Sequence, residues 1–323
     1  MDIRKIQKTG GTFFVSLPHD WTKKNGIDRG SLVSILETEN GRLIIDPKYE
    51  LKKNIEVAEV VPSSYLKREI VGKYLLGYDV IRIEGKMRLP LETREEVRKT
   101  IQSLIGFEIV EEDANRILLQ FLLEPALFTP DKILRREYLF VSSMHLDVTT
   151  ALLEMNVDLA NAVLKRDDEV DRLYFLLIRL LRTVILNPRL SEKMGLSLID
   201  CLDYRMIATY VEAIGDYASQ IARNIIEFSK VSIPSDVLHC IKKVSDTVYN
   251  MHQNAMQALT SKTYDPIDAV TQGNLEVQSY LDEVKKLSVV EQPEVASFVS
   301  SISFSLSRIC DASIDIADIV LPR

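Results

Sequence analysis

The stretch that decides the fold is EAIGDYASQIARNI, residues 212–225, because it recurs near the end of the chain as SRICDASIDIADIV, residues 307–320. An internal repeat indicates one structural unit that is used twice. We therefore expect two related helical units. Aligned on the aspartates, the copies share four identical pairs, namely Ile214/Ile309, Asp216/Asp311, Ile221/Ile316 and Ala222/Ala317.

A second pair of segments supports the repeat. Residues 167–171, DDEVD, align with residues 274–278, NLEVQ, in which Glu-Val is kept and the flanking acids become Asn and Gln. The first and last acids of DDEVD are spaced i, i+4, as are Glu212 and Asp216, so each pair lies on one helix face. If the two helices are neighbours, four carboxylates converge. Negative charges that lie so near one another need a cation or a proton between them. The first repeat is therefore a candidate metal site.

The same acids also have simpler explanations. Acids at the start of a helix cap free N–H groups, so we assign Asp168 as a helix cap and additional ligand candidate, with Asp167 and Asp171 as the main candidates. Glu212 and Asp216 lie opposite the apolar face of their helix, together with a serine and an arginine. A solvated face is therefore an alternative for them.

The second repeat is expected to bind metal less well. Asn274, Gln278 and Ser307 stand where carboxylates are expected from the first repeat. An acidic stripe that includes Asp311 and Asp315 survives on one helix face. It could hold one weakly bound ion, although a solvated face explains it better.

Apolar residues recur at helical spacing from residue 130 onward. The aligned phrases lie closer together in the second repeat, which predicts a shorter loop between its second and third helices. The periodicity predicts six helices, three per repeat, over residues 137–164, 169–186, 196–229, 234–260, 267–287 and 294–320.

Charge is distributed unevenly along the 323 residues. Residues 1–53 contain ten Lys/Arg and seven Asp/Glu, a net charge of +3, and the whole chain carries −7, so the remainder carries −10. This asymmetry favours a basic binding module on an acidic body, with a small solvated excess as the alternative. Three cysteines without a CxxC motif, no signal-peptide pattern and no long apolar run favour a cytoplasmic protein without membrane insertion.

The first 53 residues have the pattern of short strands separated by turns. The motifs RKIQK (residues 4–8), FVSLP (14–18), NGI (25–27) and LII (43–45) resemble, in order, the AbrB/SpoVT/MazE swapped-hairpin domain. The resemblance implies an intertwined homodimer whose hairpins form a small barrel, since a lone copy has too few strands to bury a core. It also implies contacts with duplex DNA through basic residues, which here are Arg4, Lys5, Lys8 and Arg29.

The two three-helix repeats, with their Asp/Glu-xxx-Asp signature, resemble the PhoU family of phosphate-uptake regulators over residues 137–323. An AbrB-like head on a PhoU-like body is similar to the arrangement in archaeal phosphate-uptake regulators. The resemblance implies multinuclear metal clusters on the helical surface, of iron or zinc, with magnesium as a further option. It also implies repression of phosphate uptake when phosphate is plentiful.

These observations predict a multidomain protein. It comprises an AbrB/SpoVT-like DNA-binding and dimerisation domain of the small β swapped-hairpin type at residues 1–53, a small α/β linker domain at 54–135, and an all-α body of two PhoU-like three-helix repeats at 136–230 and 231–323. The linker domain has no catalytic constellation, and we expect it to act as a spacer or dimer support.

Three functions are compatible with this organisation. The first is a non-enzymatic DNA-binding regulator that represses phosphate-transport genes by binding the promoter of a phosphate operon, with a metal-binding sensor body. The second is a protein-interaction regulator that binds the ATPase of a phosphate ABC transporter, in which the head only dimerises. The third, a metalloenzyme, is disfavoured because no Glu-xx-His motif accompanies the four histidines.

Overall fold

A computed structural model describes residues 3–37, 41–47, 55–261, 263–289 and 291–320. The chain forms two compact units, Met1–Asn54 and Ile55–Arg323. The further division of the second unit at residues 136 and 231 stays a prediction.

The first unit has two separate antiparallel hairpins and one short helix. A left-handed glycine, Gly10 with φ 61°, makes the turn between the strands of the first hairpin. Among the side chains of this unit that the structure describes, none is buried, and Phe13 and Ile35 are 66% and 62% exposed. The described part of this unit therefore has strands but no buried core of its own. Its elements are β1 (Gln7–Thr9), β2 (Thr12–Phe14), α1 (His19–Lys24), β3 (Ser34–Glu37) and β4 (Leu43–Asp46).

The second unit begins with the predicted α/β segment. Its four strands form one sheet in the order β5-β6-β8-β7, in which β5 and β6 are parallel and the other pairs are antiparallel. Ile70 and Tyr74 of α2 are fully buried against the sheet residues Ile81, Ile83 and Leu119. The elements are β5 (Val57–Val60), α2 (Leu66–Leu75), β6 (Val80–Glu84), α3 (Leu91–Gln102), β7 (Phe107–Glu112) and β8 (Arg116–Phe121).

The rest of the chain is a bundle of long helices around one apolar core. The helices α4, α5 and α7 pack on one another, as do α8, α9 and α10, and the two triplets meet through the α4–α8 and α7–α10 contacts. The predicted fold of two three-helix repeats is therefore confirmed. The helices are α4 (Pro130–Glu154), α5 (Val157–Leu186), α6 (Pro188–Met194), α7 (Leu198–Glu227), α8 (Ser235–Ser261), α9 (Asp265–Ser288) and α10 (Pro293–Ile319).

The first two helices of the bundle begin and end at different places from those predicted. Residues 137–164 do not form one helix, because Met155 adopts a left-handed conformation with φ 49° and ends α4. The Asn156 side chain then caps α5 by accepting a hydrogen bond from the Leu159 N–H at 3.0 Å. Asp168 therefore lies inside α5, and its assignment as a helix cap is wrong. Periodicity missed this break because both helices bury their apolar faces in the same core.

The connection between the second and third helices differs between the repeats as predicted. In the first repeat it contains the additional short helix α6, which the Asn187 side chain caps. In the second repeat only four residues separate α9 from α10. The shorter loop of the second repeat is confirmed.

A buried arginine joins the α/β segment to the bundle. Arg179 on α5 is 3% exposed, and its guanidinium donates hydrogen bonds to the Tyr74 and Gly77 carbonyls at 2.7 and 3.2 Å. It also lies 3.9 Å from the centre of the Phe121 ring, a cation–π contact. Helix α5, which carries Asp167 and Asp171, is thus fixed directly to the sheet segment.

Within the described residues, no helix combines the length and the apolar character that a membrane crossing requires. Cys201, Cys240 and Cys310 are buried and not joined in disulfides.

Candidate functional site

The carboxylates of the first repeat come together because α7 approaches α4 and α5 closely at Gly215. A Cβ atom at this position would lie 3.3 Å from Val141 Cγ2 on α4 and 3.5 Å from Val170 Cγ1 on α5. Val170 stands next to Asp171, and Gly215 stands next to Asp216. The missing side chain therefore lets the two acidic helix faces meet.

Asp167 and Asp171 from α5 and Glu212 and Asp216 from α7 form one electrostatic group. Burial, with the charges of Asp167 and Asp216, raises the pKa of Asp171 to about 6. Burial, with the charges of Asp216 and Asp171, raises the pKa of Glu212 to about 7. Burial also raises the pKa values of Asp167 and of Asp216, which stands at the exposed edge of the group. We call these four residues the carboxylate group.

A fifth acid, Glu137 on α4, lies beneath this group and was not predicted. Its side chain is fully buried, and neither carboxylate oxygen has a hydrogen-bond partner. Burial, with the charges of Glu212 and Asp171, raises its pKa well above the ordinary value. The sequence held a usable signal, because Glu137 interrupts the apolar face formed by Leu134 and Val141 at helical spacing.

Positive charges in the described part of the chain act on the outer four acids. Arg223 Nη2 lies 3.5 Å from Asp167 Oδ2, and the Arg223 charge also lowers the pKa of Asp216. The Lys67 charge lowers the pKa of Asp171, and the Arg205 charge lowers that of Glu212. The charges that act on Glu137 are both negative. Burial and these two neighbours therefore favour the protonated, uncharged form of the inner acid.

The donor set suits a hard cation, since it consists of carboxylate oxygens. In the part of the chain that the structure describes, no three His, Cys, Asp or Glu side chains are arranged to hold a metal ion as they stand. Holding an ion would require these carboxylates to turn toward a common point. The charge of the group fits a cation, while its present arrangement is not a closed coordination shell.

The alternative of a simple solvated face does not hold for all of this helix surface. Ser219, which the helical wheel placed beside Glu212 and Asp216 opposite the apolar face, is fully buried. Glu212 is half-buried, because α5 packs over this side of α7. Asp168 lies on an exposed part of α5, and its charge adds to the effects that raise the pKa values of Asp167 and Asp171.

The corresponding residues of the second repeat have different neighbours. Asp311 is paired with Arg308 at 2.9 Å, and Arg308 also donates to the Tyr217 hydroxyl. Burial and the charge of Asp311 raise the pKa of Asp315. The Asn274 amide oxygen lies 3.6 Å from Cys310 Sγ. An amide, a thiol and an ion pair thus occupy the region where the first repeat has carboxylates.

The candidate DNA-binding residues are exposed on the first unit. Arg4 and Lys5 belong to the extended segment before β1, and Lys8 lies on β1 with its Nζ 5.2 Å from the centre of the Phe13 ring. Arg29 lies elsewhere in the sequence, in the turn before β3, where its N–H donates to Asp28 Oδ1. The structure thus places three of the four at one hairpin and its lead-in segment.

Comparisons with known families match both parts of the chain. Residues 134–225 match the PhoU domain, and residues 6–52 match the antidote-toxin recognition domain MazE, described as a bacterial antitoxin. The first match covers α4, α5 and α7, which carry all five carboxylates. The predicted resemblances to PhoU and to the AbrB/SpoVT/MazE group are confirmed.

Solved structures show the same helical fold. PhoU from Pseudomonas aeruginosa is similar with a TM-score of 0.54 and 23% identity, over 60% of this chain and 95% of that chain. The phosphate transport system regulatory protein PhoU from Streptococcus pneumoniae is similar with a TM-score of 0.51 and 14% identity, over 59% of this chain and 91% of that chain. No curated protein gives a significant match.

Proposed function

We propose that this protein, which carries a MazE-like domain at its N-terminus and a PhoU domain in its body, is a cytoplasmic DNA-binding regulator of phosphate uptake. Its first unit would pair with a second copy and bind the promoter of a phosphate-transport operon. Its helical body would alter that binding according to the cation and phosphate status of the cell. The observation that carries the proposal is this combination of domains with a basic first unit and an acidic body.

The first unit supports a homodimer because it cannot bury its own apolar residues. Ile3, Ile6, Phe13, Ile35 and Leu43 are between 62% and 84% exposed. A soluble domain rarely leaves so many large apolar side chains in water, and two hairpins are too few strands for a stable core. A second copy would supply the missing strands of the barrel.

The charge of the first unit supports DNA as its partner. Its net charge of +3 doubles in a dimer, and Lys/Arg contacts with phosphates release counterions. The body carries −10 and would be repelled by the same phosphates. Contact with DNA is therefore expected at Arg4, Lys5 and Lys8 rather than on the helices.

The body supports a sensing role through its carboxylate group. Asp167, Asp171, Glu212 and Asp216 would hold iron, zinc or magnesium, which supplies positive charge to an otherwise repulsive cluster and could be bridged by phosphate. Less negative charge on the body would make binding to DNA more favourable. Any ligand that favours one of two states of the protein shifts their equilibrium, and DNA must change the affinity of that ligand by the same factor.

The test is binding of the full-length protein to a phosphate-transport promoter over a range of salt concentrations. Changing Arg4, Lys5 and Lys8 to Ala should weaken binding to all sequences. It should also reduce the slope of log K against log salt by up to about 5, because a dimer would lose six phosphate contacts. The matched control changes three exposed basic residues of the body, Lys132, Arg135 and Arg136, to Ala. If the Arg4/Lys5/Lys8 variant bound the promoter as well as the wild type, these three residues would not form the DNA-binding surface.

A second candidate function is binding of the phosphate transporter ATPase by the body. The observation that favours it is an exposed apolar stripe on α7, where Leu198, Leu202 and Met206 follow one another at i, i+4 and i+8 and are 59%, 52% and 40% exposed. Apolar surface of this kind is typical of protein contacts. Binding to the purified ATPase without salt-dependent promoter binding would favour this candidate over the first.

A further inference from the structure

The two edge strands of the sheet in the second unit differ in how well they are protected against pairing. Strand β7 has a register shift between Ile109 and Glu111, and three of its six residues are glutamates. Bulges and charges of this kind discourage another strand from adding to an edge. Strand β5 pairs with β6 without any shift, and Glu59 is its one charged residue. The β5 edge therefore lacks the protection that β7 has.

Alternate residues of β5 direct their backbone groups to opposite sides of the strand. The Val80 N–H of β6 donates to the Glu56 carbonyl at 3.0 Å. Every second residue faces the same neighbour, so Ala58 also faces β6, whereas Val57 and Glu59 face away from it. Among the residues that the structure describes, no strand pairs with that outer side. Val57 and Glu59 therefore present their N–H and C=O groups for a further strand.

The side chains along this edge are apolar on both faces of the sheet. Ala58 and Val60 are buried on the face that α2 covers. Side chains alternate along a strand, so Ile55, Val57 and Val61 share the other face, where they are between 45% and 68% exposed. A row of exposed apolar side chains beside free backbone groups is typical of a pairing surface.

The short connection to the first unit favours a second copy of the chain as the occupant of this edge. Only residues 47–56 lie between the end of β4 and the start of β5. Ten residues span at most about 35 Å. If two first units form a homodimer, both copies of β5 lie within that reach of it, at an effective concentration on the order of millimolar. A two-fold axis can then pair the same edge of both copies.

We infer that the β5 strands of two copies pair antiparallel in the dimer and join their sheets into one. This inference rests on the proposed homodimer of the first unit and adds a second contact to it. The register sets Ala58 opposite itself, so that Val57 lies opposite Glu59. Ile55 then lies opposite Val61. A register centred on Glu59 is disfavoured, because like charges directly opposite each other repel. A four-residue strand is too small to hold a dimer alone, so the pairing depends on the first unit.

The first experiment compares two changes at Glu59 in the full-length protein. Glu59→Pro removes an N–H that does not face β6, so the sheet of each copy should keep its hydrogen bonds. Glu59→Ala is the matched control, since it also removes the carboxylate that pairs with Arg82 but keeps the N–H. Analytical ultracentrifugation measures the dissociation constant of the dimer. It should rise by about tenfold or more for Glu59→Pro, which loses two hydrogen bonds per dimer, and stay within about twofold for Glu59→Ala.

The second experiment tests the register by oxidation of single cysteine variants with diamide. The three natural cysteines are buried, so they interfere little. Ala58→Cys should form a disulfide-linked dimer, because residues directly opposite each other on paired strands lie within the reach of a disulfide. Glu59→Cys is the control. Its thiol is more exposed but lies farther from its counterpart, so it should be linked more slowly.

The outcomes separate this inference from the proposal on which it rests. If Glu59→Pro and Glu59→Ala dimerise as tightly as the wild type, β5 does not pair, while the homodimer of the first unit stands. Faster linking of Glu59→Cys than of Ala58→Cys would also overturn the inference. Hydrogen exchange at the Val57 amide should be slow in the wild type and faster in Glu59→Pro. Equal protection in both would mean that a segment of the same chain covers the edge. A monomeric wild type would remove both the inference and the proposed homodimer.

Discussion

His252 Nε2 lies 3.2 Å from His145 Nδ1 in the contact between α8 and α4, and both rings are buried. Their outer nitrogens have matching partners, since the Tyr138 hydroxyl lies 2.8 Å from His252 Nδ1 and the Ser245 hydroxyl lies 2.9 Å from His145 Nε2. The histidines are 107 residues apart, and so are Tyr138 and Ser245. The two repeats therefore meet through a pseudo-symmetric pair of hydrogen bonds.

This histidine pair should make stability depend on pH. Burial lowers the pKa of His145 to about 4, although Ser245 and Asp246 oppose the shift. Burial and the charge of His145 lower the pKa of His252 well below its ordinary value. An unfolded histidine titrates near 6.5, so only the unfolded chain takes up these protons as pH falls from about 6.5 to about 4. The neutral histidines therefore stabilise the fold fully above pH 6.5. As pH falls to about 4, His145 alone accounts for a loss of about 3 kcal/mol in the free energy of unfolding.

The measurement is urea unfolding of wild type and His252→Asn at pH 7, 5.5 and 4.5. The variant should be less stable at pH 7, and the difference should narrow as pH falls. Comparing variants is necessary because the raised pKa values of the carboxylate group stabilise the folded protein on acidification, which is the opposite sign. His239→Asn, an exposed change on the same helix, is the control. A stability difference that does not vary with pH would contradict the prediction.

The exposed apolar residues of the first unit should hold the dimer together. Ile35→Lys on β3 places a charge where the second copy would bury an isoleucine, so the protein should become a monomer of 36.8 kDa. Light scattering after size exclusion measures the mass. The Arg4/Lys5/Lys8 triple variant should remain a dimer, because it leaves the exposed apolar residues of the first unit unchanged. An unchanged mass for Ile35→Lys would place the dimer contact elsewhere.

Arg179 should be essential for joining the α/β segment to the helical bundle. Arg179→Ala leaves the Tyr74 carbonyl without its buried donor and removes the contact with Phe121, so we expect a loss of about 3 kcal/mol or more. Arg182→Ala is a matched control, since this neighbouring arginine is exposed and donates only to the Leu75 carbonyl at 3.2 Å. Its cost should be below about 1 kcal/mol. The free energy of unfolding of each variant is measured by chemical denaturation followed by circular dichroism. Equal losses for Arg179→Ala and Arg182→Ala would mean that burial of Arg179 is unimportant.

The two repeats should differ in metal content. Asp216→Asn removes a charge from the carboxylate group with little change of shape, so bound metal in native protein should fall without unfolding. Asp311→Asn should have little effect, because Asp311 already has Arg308 as its partner at 2.9 Å. Elemental analysis of both purified variants provides the comparison. Equal losses from the two changes would mean that the second repeat also holds metal.

Local patterns in the sequence were sufficient for the organisation of the chain. The repeat of residues 212–225 at 307–320 predicted the two helical triplets, and the motif order around Phe14 and Gly26 predicted the first unit. Apolar periodicity placed most helices to within a few residues. A helix that borders a core must repeat its apolar residues at intervals of about 3.6 residues. Each of these patterns can be read within one helix or strand, or by comparing the two copies of a repeat.

Long-range packing decided the features that local patterns did not contain. Periodicity shows which side of α7 is apolar, but only the position of α5 over it buries Ser219 and shields Glu212. The break at Met155 escaped prediction because helices on both sides of it face the same core. Glu137 becomes a buried acid without a hydrogen-bond partner only where α4 packs against α5 and α7. His145 and His252 become partners only where the two repeats meet. In each case the environment of a polar group depends on residues far away in the chain, and burial in the tertiary structure sets its charge and its partners.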